Sequence, residues 1–215
     1  MLIERRRHAT ADEVADALRA LDGAPHRVSA RAWPGDLTDL RVPGLYSWWV
    51  NQEGAAMLTE GLELPVEPGR IYAGQTGATK WPSGNTGKAT LRSRIGSQHV
   101  RGRIRGSTFR LTLASSLHRS LGLVPLGPRR LGDDSERLLT EWIMSHLDLA
   151  VHPYADPDPL ADLEHQVLLR LDPPLNLDGM PRTPVRLRLA ERRAVLAAGV
   201  PQSESEPTTC ANSGS

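Results

Sequence analysis

Apolar positions along the chain follow first a helical and then a strand-like pattern. Val14, Ala17, Leu18 and Leu21 recur at helical spacing behind Thr10 and Glu13, which stand three apart as in a capping box, so residues 10–21 predict an amphipathic helix. Leu45 to Val50 is aromatic and β-branched (Tyr46, Trp48, Trp49, Val50) and predicts a strand, and Arg70 to Gln75 predicts a second, shorter one. About twenty residues rich in turn formers (Gly54, Gly61, Pro65, Pro68, Gly69) separate them and suggest an elaborated hairpin. Pro82, Gly84, Asn85 and Gly87 mark a loop after the second strand.

Helical spacing returns further on. Thr90 to about Val100 carries Leu91 and Ile95 on one stripe, and Ser107 can cap a helix that reaches Ser120 before Gly122. Asp134 or Ser135 can open another, with Leu138, Leu139, Trp142, Ile143 and Leu147 as its core face. Leu149 to Pro153 is a short strand candidate. Leu160 to Leu171 predicts a helix ended by Asp172, Pro173 and Pro174, because proline cannot continue it and disfavours the helical region at the residue before it. Thr183 and Pro184 can start a last, Arg-rich helix to Ala198. The expected architecture is α/β of the α+β type. Residues 1–40 form a helical extension, 41–180 the core and 181–200 the Arg-rich helix, with a disordered tail over 201–215.

Composition narrows the chemistry. A chain of 215 residues suits one domain with appended segments. No apolar run approaches the roughly 18 residues of a membrane span, and Glu4, Arg5, Arg6 and Arg7 are not followed by an apolar stretch, so a cytoplasmic protein without membrane contact is expected. The single cysteine, Cys210, lies in the polar tail, which excludes a disulfide framework, a Cys-rich zinc site or a cysteine nucleophile in the folded part.

Charge is ordered in blocks although the net charge is only +1. No acidic residue occurs between Glu67 and Asp133, a span that holds twelve cations, and nine acids with a single cation, Arg137, follow before Arg170. A basic block attracts a polyanion, and arginine matches phosphate oxygens bidentately. Nucleic acid is the natural partner; pairing of the two blocks within the domain is the alternative.

Several short motifs stand in a definite order. Gly44, Leu45 and Tyr46 lie on the first strand, and Tyr72, Ala73 and Gly74 on the second, 26 residues after Tyr46. Leu91, Arg92, Ser93, Arg94 and Ile95 follow on a helix, then Glu164 on another, and Pro173, Pro174, Leu175 and Asn176 just after it. From Gly44 to Asn176 this order resembles the GIY-YIG nuclease superfamily. The resemblance implies a small three-stranded antiparallel sheet flanked by helices, and hydrolysis of phosphodiester bonds with one divalent cation.

Carried over by that resemblance, Tyr46 and Tyr72 match the two tyrosines, Arg94 the arginine, Glu164 the metal-binding carboxylate and Asn176 the closing asparagine. The chemistry agrees. Glu164 offers a hard oxygen ligand to Mg²⁺ or Mn²⁺, and Mg²⁺ keeps several waters and needs only one or two carboxylates. Arg94 can clamp the phosphate. Tyr46 is the first choice to deprotonate or orient the water with Tyr72 as partner, although the roles can be exchanged; a nearby cation would lower its pKa. Lys80 and Lys88 lie between Tyr72 and Arg94, where either could reach phosphate. Asn176 can position Glu164 or a strand end.

His99 is a doubtful partner, because it follows Arg94 by five residues, about 140° around a regular helix; a helix distorted near Gly96 would restore the contact. Arg92, Arg101, Arg103, Arg105 and Arg110 are candidates for nucleic-acid contact, with the run from Arg101 to Arg105 either a phosphate-contacting turn or merely solvated. Glu141 is the rival carboxylate. The resemblance also implies DNA rather than RNA as substrate. A noncatalytic nucleic-acid-binding module on the same scaffold is the alternative function, and a homo-oligomer or a partner subunit is a further expectation.

Overall fold

A computed structural model describes residues 7–22, 27–77 and 89–199. Lys80, Lys88, the loop marked by Pro82, Gly84, Asn85 and Gly87, and the tail with Cys210 lie outside these residues. The capping box forms: Thr10 Oγ1 accepts from the Glu13 N–H at 3.2 Å, and the Glu13 carboxylate accepts from the Thr10 N–H at 2.8 Å. Helix α1 follows as Ala11–Asp22. Strands β1 (Val28–Ser29) and β2 (Gly44–Val50) come next, then helix α2 (Gln52–Leu62) and strand β3 (Gly69–Thr76).

Helix α2 corrects the expected hairpin loop. Asn51 caps it, its Oδ1 accepting from the Gly54 N–H at 2.8 Å. Gly54 and Gly61 act here as close-packing positions rather than turn residues: a Cβ at Gly54 would stand 2.6 Å from Val50 Cγ2, and one at Gly61 1.8 Å from the Ser116 carbonyl oxygen. Periodicity alone cannot separate such a glycine from a turn signal.

A π-helix over Ser93–Val100 precedes helix α3 (Thr108–Leu117), whose cap is Ser107, and a small hairpin of β4 (Pro125–Gly127) and β5 (Arg130–Leu131). Helix α4 (Asp133–His146), strand β6 (Leu147–Pro153) and helices α5 (Leu160–Leu171) and α6 (Pro184–Ala198) complete the chain. Thr183 caps α6 through its Oγ1, which accepts from the Arg186 N–H at 3.2 Å.

The sheet is antiparallel in the order β1, β6, β2, β3, four strands rather than three. The additional strand, β1, pairs only Val28 with Leu149 and Ser29 with Asp148, too short a run to carry a readable alternation. Side chains of β2 divide by face. Tyr46, Trp48 and Val50 enter the main core, where Trp48 stacks on Phe109 at 4.7 Å between ring centroids. Leu45 points to the other face and packs with Val14, Ala17 and Leu21 of α1 and with Leu160, Leu163 and Val167 of α5. Helix α1 therefore backs the helix that carries Glu164.

Candidate active site

Tyr46 and Trp48 project from the same face of β2, and their register partners on β3 are Gly74 and Tyr72. Gly74 leaves no room for a side chain: a Cβ there would lie 2.9 Å from the Tyr46 hydroxyl oxygen and 3.1 Å from Cζ. The missing side chain makes room for the tyrosine ring. The Tyr46 hydroxyl then meets His99 Nε2 at 2.8 Å, and His99 Nδ1 lies 2.8 Å from Ser107 Oγ. Phe109 packs against the rings of Trp48, Tyr72 and His99, with centroids 4.7, 5.1 and 5.2 Å away.

His99 reaches this position because the helix after Leu91 is wound as a π-helix. Its hydrogen bonds run over five residues, as from the Arg101 N–H to the Gly96 carbonyl at 3.1 Å. Five residues then span only a little more than one turn, so Arg94 and His99 share a face. Gly96 permits the winding's close packing, since a Cβ there would stand 3.0 Å from Trp33 Nε1. The objection drawn from regular helix geometry is thereby removed.

Glu164 is positioned by the free edge of β3, the outermost strand. Such an edge exposes unpaired backbone groups. Here Leu175 N–H donates to the Ile71 carbonyl at 3.0 Å, and Asn176 takes Ala73 at both ends, its Oδ1 accepting from Ala73 N–H at 3.0 Å and its Nδ2 donating to the Ala73 carbonyl at 2.8 Å. Two residues on, the Gln75 N–H donates to Glu164. The turn that makes this return possible starts at Asp172, which adopts a left-handed conformation (φ 43°). Buried Arg186 staples it, donating to the carbonyls of Asn176, Pro173 and Pro181 and to Asp172 Oδ1 at 2.6 to 3.0 Å.

Tyr46, Tyr72, Arg94 and Glu164 line one cleft of about 390 Å³, together with Gly74, Gln98, Thr108 and Asp178. Asn176 stands beside it, lining an adjoining cavity of about 380 Å³ that shares Tyr72, Thr108, Glu164 and Asp178. Arg94 donates to Gln98 Oε1, and its buried Nε has no partner among the described residues.

Burial dominates the electrostatics. It pushes the Tyr46 hydroxyl up to about 12, against the pull of Arg94, and raises Tyr72 further still, so both are protonated at neutral pH. Arg94 lowers the Tyr46 value, as expected of a nearby cation, but burial outweighs it. Burial, reinforced by Arg94 and Arg110, holds His99 well below its ordinary range, hence neutral. The Glu164 carboxyl is pushed up to about 7 by desolvation, with the Gln75 N–H and Arg94 only partly opposing.

The arginines divide. Arg110 is a correction: it is fully buried, ion-paired to Glu136 at 2.7 Å, and donates to the carbonyls of His99 and Val100 at 3.2 and 2.8 Å. It stabilises the end of the π-helix and offers nothing to a polyanion, because a charge pattern along the chain does not reveal which cation turns inward. Arg92, Arg101, Arg103 and Arg105 are exposed, Arg103 carrying a solvent-exposed pair to Asp133 at 2.7 Å. Arg103 and Arg105 line a further cleft of about 550 Å³ with Arg129 and Arg130 of the hairpin that the sequence reading missed. Glu141 is exposed and pairs with Arg31.

Among the described residues no group of three or more His, Cys, Asp or Glu side chains gathers as a metal cage. Glu164 nevertheless suits a hard divalent cation: it is half-buried on the cleft wall, it forms no ion pair among the described residues, and Asp178 lines the same cleft. Gln98, Thr108 and Asp178 were not singled out from the sequence, and Ser107 only as a helix cap.

Among the described residues no helix is long and apolar enough to cross a membrane. Neither curated proteins nor solved structures provide a match to the chain. Residues 44–195 match a family described as the GIY-YIG catalytic domain, a span running from the first residue of β2 into α6. That span contains both tyrosine motifs, the π-helix and the Glu164 helix, and the chain belongs to the GIY-YIG family of nucleases, whose substrates are nucleic acids.

Proposed function

We propose that this chain is a metal-dependent endonuclease that hydrolyses phosphodiester bonds, with DNA as its substrate and Mg²⁺ or Mn²⁺ held at Glu164. The observation that carries the reading is the cleft itself: Tyr46 and Tyr72 from two strands, Arg94 from the π-helix and Glu164 from α5 line one cavity although they are up to 118 positions apart in sequence.

In this reading Arg94 donates to the nonbridging oxygens of the scissile phosphate and stabilises the charge that develops there. The cation, when bound, neutralises phosphate charge and assists departure of the leaving oxygen. Tyr46 starts protonated, so it can accept a proton from water only as it gives its own to a neighbour. With Nδ1 of neutral His99 donating to Ser107 Oγ, Nε2 carries the lone pair that takes that proton. Tyr72 orients the phosphate or the attacking water from the opposite strand. Exposed Arg92, Arg101, Arg103 and Arg105 hold the flanking backbone, and the cleft of Arg103, Arg105, Arg129 and Arg130 extends that surface.

The test is cleavage of plasmid, single-stranded, branched and RNA substrates by purified protein with and without Mg²⁺. Metal-dependent cutting of DNA that is lost in Glu164→Ala and strongly reduced in Arg94→Ala supports the reading. Salt-sensitive binding without turnover on any substrate overturns it in favour of a noncatalytic binding module.

A further inference from the structure

Helix α6 carries a cation that the nuclease reading does not use. Its inward face reads Arg186, Leu189, Arg193 and Leu196, spaced by three, four and three residues, and Leu189, Leu196 and Arg186 are buried. Arg193 stands two turns beyond Arg186 on that face. The other arginines of the inward and flanking faces have acidic partners: Arg186 pairs with Asp172, Arg188 with Glu63 and Glu191, and Arg192 with Glu63. Arg193 has no ion pair or hydrogen bond among the described residues, yet it is half-buried and lines the cavity of about 380 Å³ beside Tyr72, Glu164 and Asn176.

That cavity and the catalytic cleft share Tyr72, Thr108, Glu164 and Asp178, so they are two lobes that meet at the carboxylate. Arg94 belongs to one lobe and Arg193 to the other. A guanidinium that faces a cavity without a counterion can take a group of fixed negative charge bidentately. Glu164 and Asp178 line the same cavity, but among the described residues neither forms an ion pair with Arg193.

We propose that Arg193 forms a second phosphate subsite, on the other side of Glu164 from Arg94, that takes a phosphate of the same strand adjoining the scissile one. The proposal rests on the nuclease reading for the identity of the scissile phosphate, but its binding test does not require turnover. It makes α6 part of the substrate channel: the helix that staples the Asn176 turn through Arg186 also holds the strand through Arg193.

The experiment measures binding of a fluorescently labelled DNA duplex, without added metal and over a series of salt concentrations, for the wild type, Arg193→Ala, Arg193→Lys and Arg188→Ala. Each phosphate contact contributes about 0.9 to the slope of log affinity against log salt on duplex DNA. Arg193→Ala is expected to bind several-fold more weakly with a slope smaller by about one contact, Arg193→Lys to keep the slope, and Arg188→Ala to match the wild type. In cleavage assays Arg193→Ala raises KM more than it lowers kcat, as loss of binding common to ground and transition states requires. An unchanged slope in Arg193→Ala overturns the proposal, whether affinity holds or falls, because a fall at constant slope marks a structural effect. Failure of the wild type to cut any substrate would instead sink the nuclease reading and leave the slope comparison decisive for Arg193.

Discussion

The Tyr46 hydroxyl oxygen and His99 Nε2 are 2.8 Å apart, and both side chains are buried, one from the second strand of the sheet and the other from a π-helix 53 residues later. Because burial keeps the tyrosine protonated and the histidine neutral, the contact is a neutral hydrogen bond in the resting protein, and a proton can leave Tyr46 for His99 only as Tyr46 takes another from the attacking water.

Groups that act as one chain lose their effect together. Tyr46→Phe and His99→Ala are each expected to lower kcat by roughly 10² to 10⁴, the span of a general acid–base contribution. The double variant should lie within about tenfold of the worse single one. Single-turnover cleavage at saturating Mg²⁺ measures this; losses that multiply would mean that the two residues act independently.

Gly74 tests the same contact from the strand opposite. A Cβ there would sit 2.9 Å from the Tyr46 hydroxyl oxygen, so Gly74→Ala must displace the ring or part the strands. The expected result is a cleavage rate at least tenfold lower, as misplacing a reacting group costs, with loss of stability of only about 1 to 3 kcal/mol, the cost of overpacking. Denaturant titration and cleavage assays on one preparation separate the two effects. Retained activity with a large loss of stability would show that the strand, rather than the tyrosine, absorbs the methyl group.

How much of this arrangement was legible depended on whether its signal is local. The Leu160–Leu171 helix and the Pro184–Ala198 helix announce themselves by prolines and a threonine cap, and the structure has them at those bounds. Helix α2 did not, because Gly54 and Gly61 face His146 and Ser116, contacts that no neighbouring residue encodes. The order of the motifs was enough to gather Tyr46, Tyr72, Arg94 and Glu164 in one cleft. The side of the helix that His99 faces depends on π winding, which is not a matter of apolar spacing. The inward turn of Arg110 depends on Glu136, 26 residues away.

Arg110 is accordingly expected to matter for stability rather than for contact with nucleic acid. Its guanidinium bonds to Glu136, Thr140 and the carbonyls of His99 and Val100, and Glu136 also accepts from the Ile104 N–H at 2.9 Å. Arg110→Met strands a buried carboxylate and is predicted to cost about 3 to 5 kcal/mol in denaturant unfolding. Under conditions where the variant remains folded, the salt slope of its DNA binding should equal that of the wild type. A slope lowered by one phosphate contact would return Arg110 to the nucleic-acid interface.

Glu164 sets the last expectation, through the sign of its pKa shift. The fold raises its carboxyl from the ordinary 4.5 to about 7 and so favours the protonated form. Its contribution to stability is complete below 4.5, declines as pH rises to about 7, and above that the ionised carboxylate burdens the fold. Glu164→Gln, which cannot ionise, should therefore be more stable than the wild type at pH 8 without metal, by on the order of 1 to 3 kcal/mol. Near pH 4.5 the two should converge. A divalent cation competes with the proton for the same oxygens, so Mg²⁺ should raise the wild-type Tm at pH 8 more than at pH 6 and leave Glu164→Gln unmoved at either. Thermal melts of both proteins across this pH range, with and without Mg²⁺, decide the matter: an equal response of the two to Mg²⁺ at pH 8 would remove Glu164 as the metal ligand, and equal apo stability there would mean that solvent already reaches and satisfies the carboxylate.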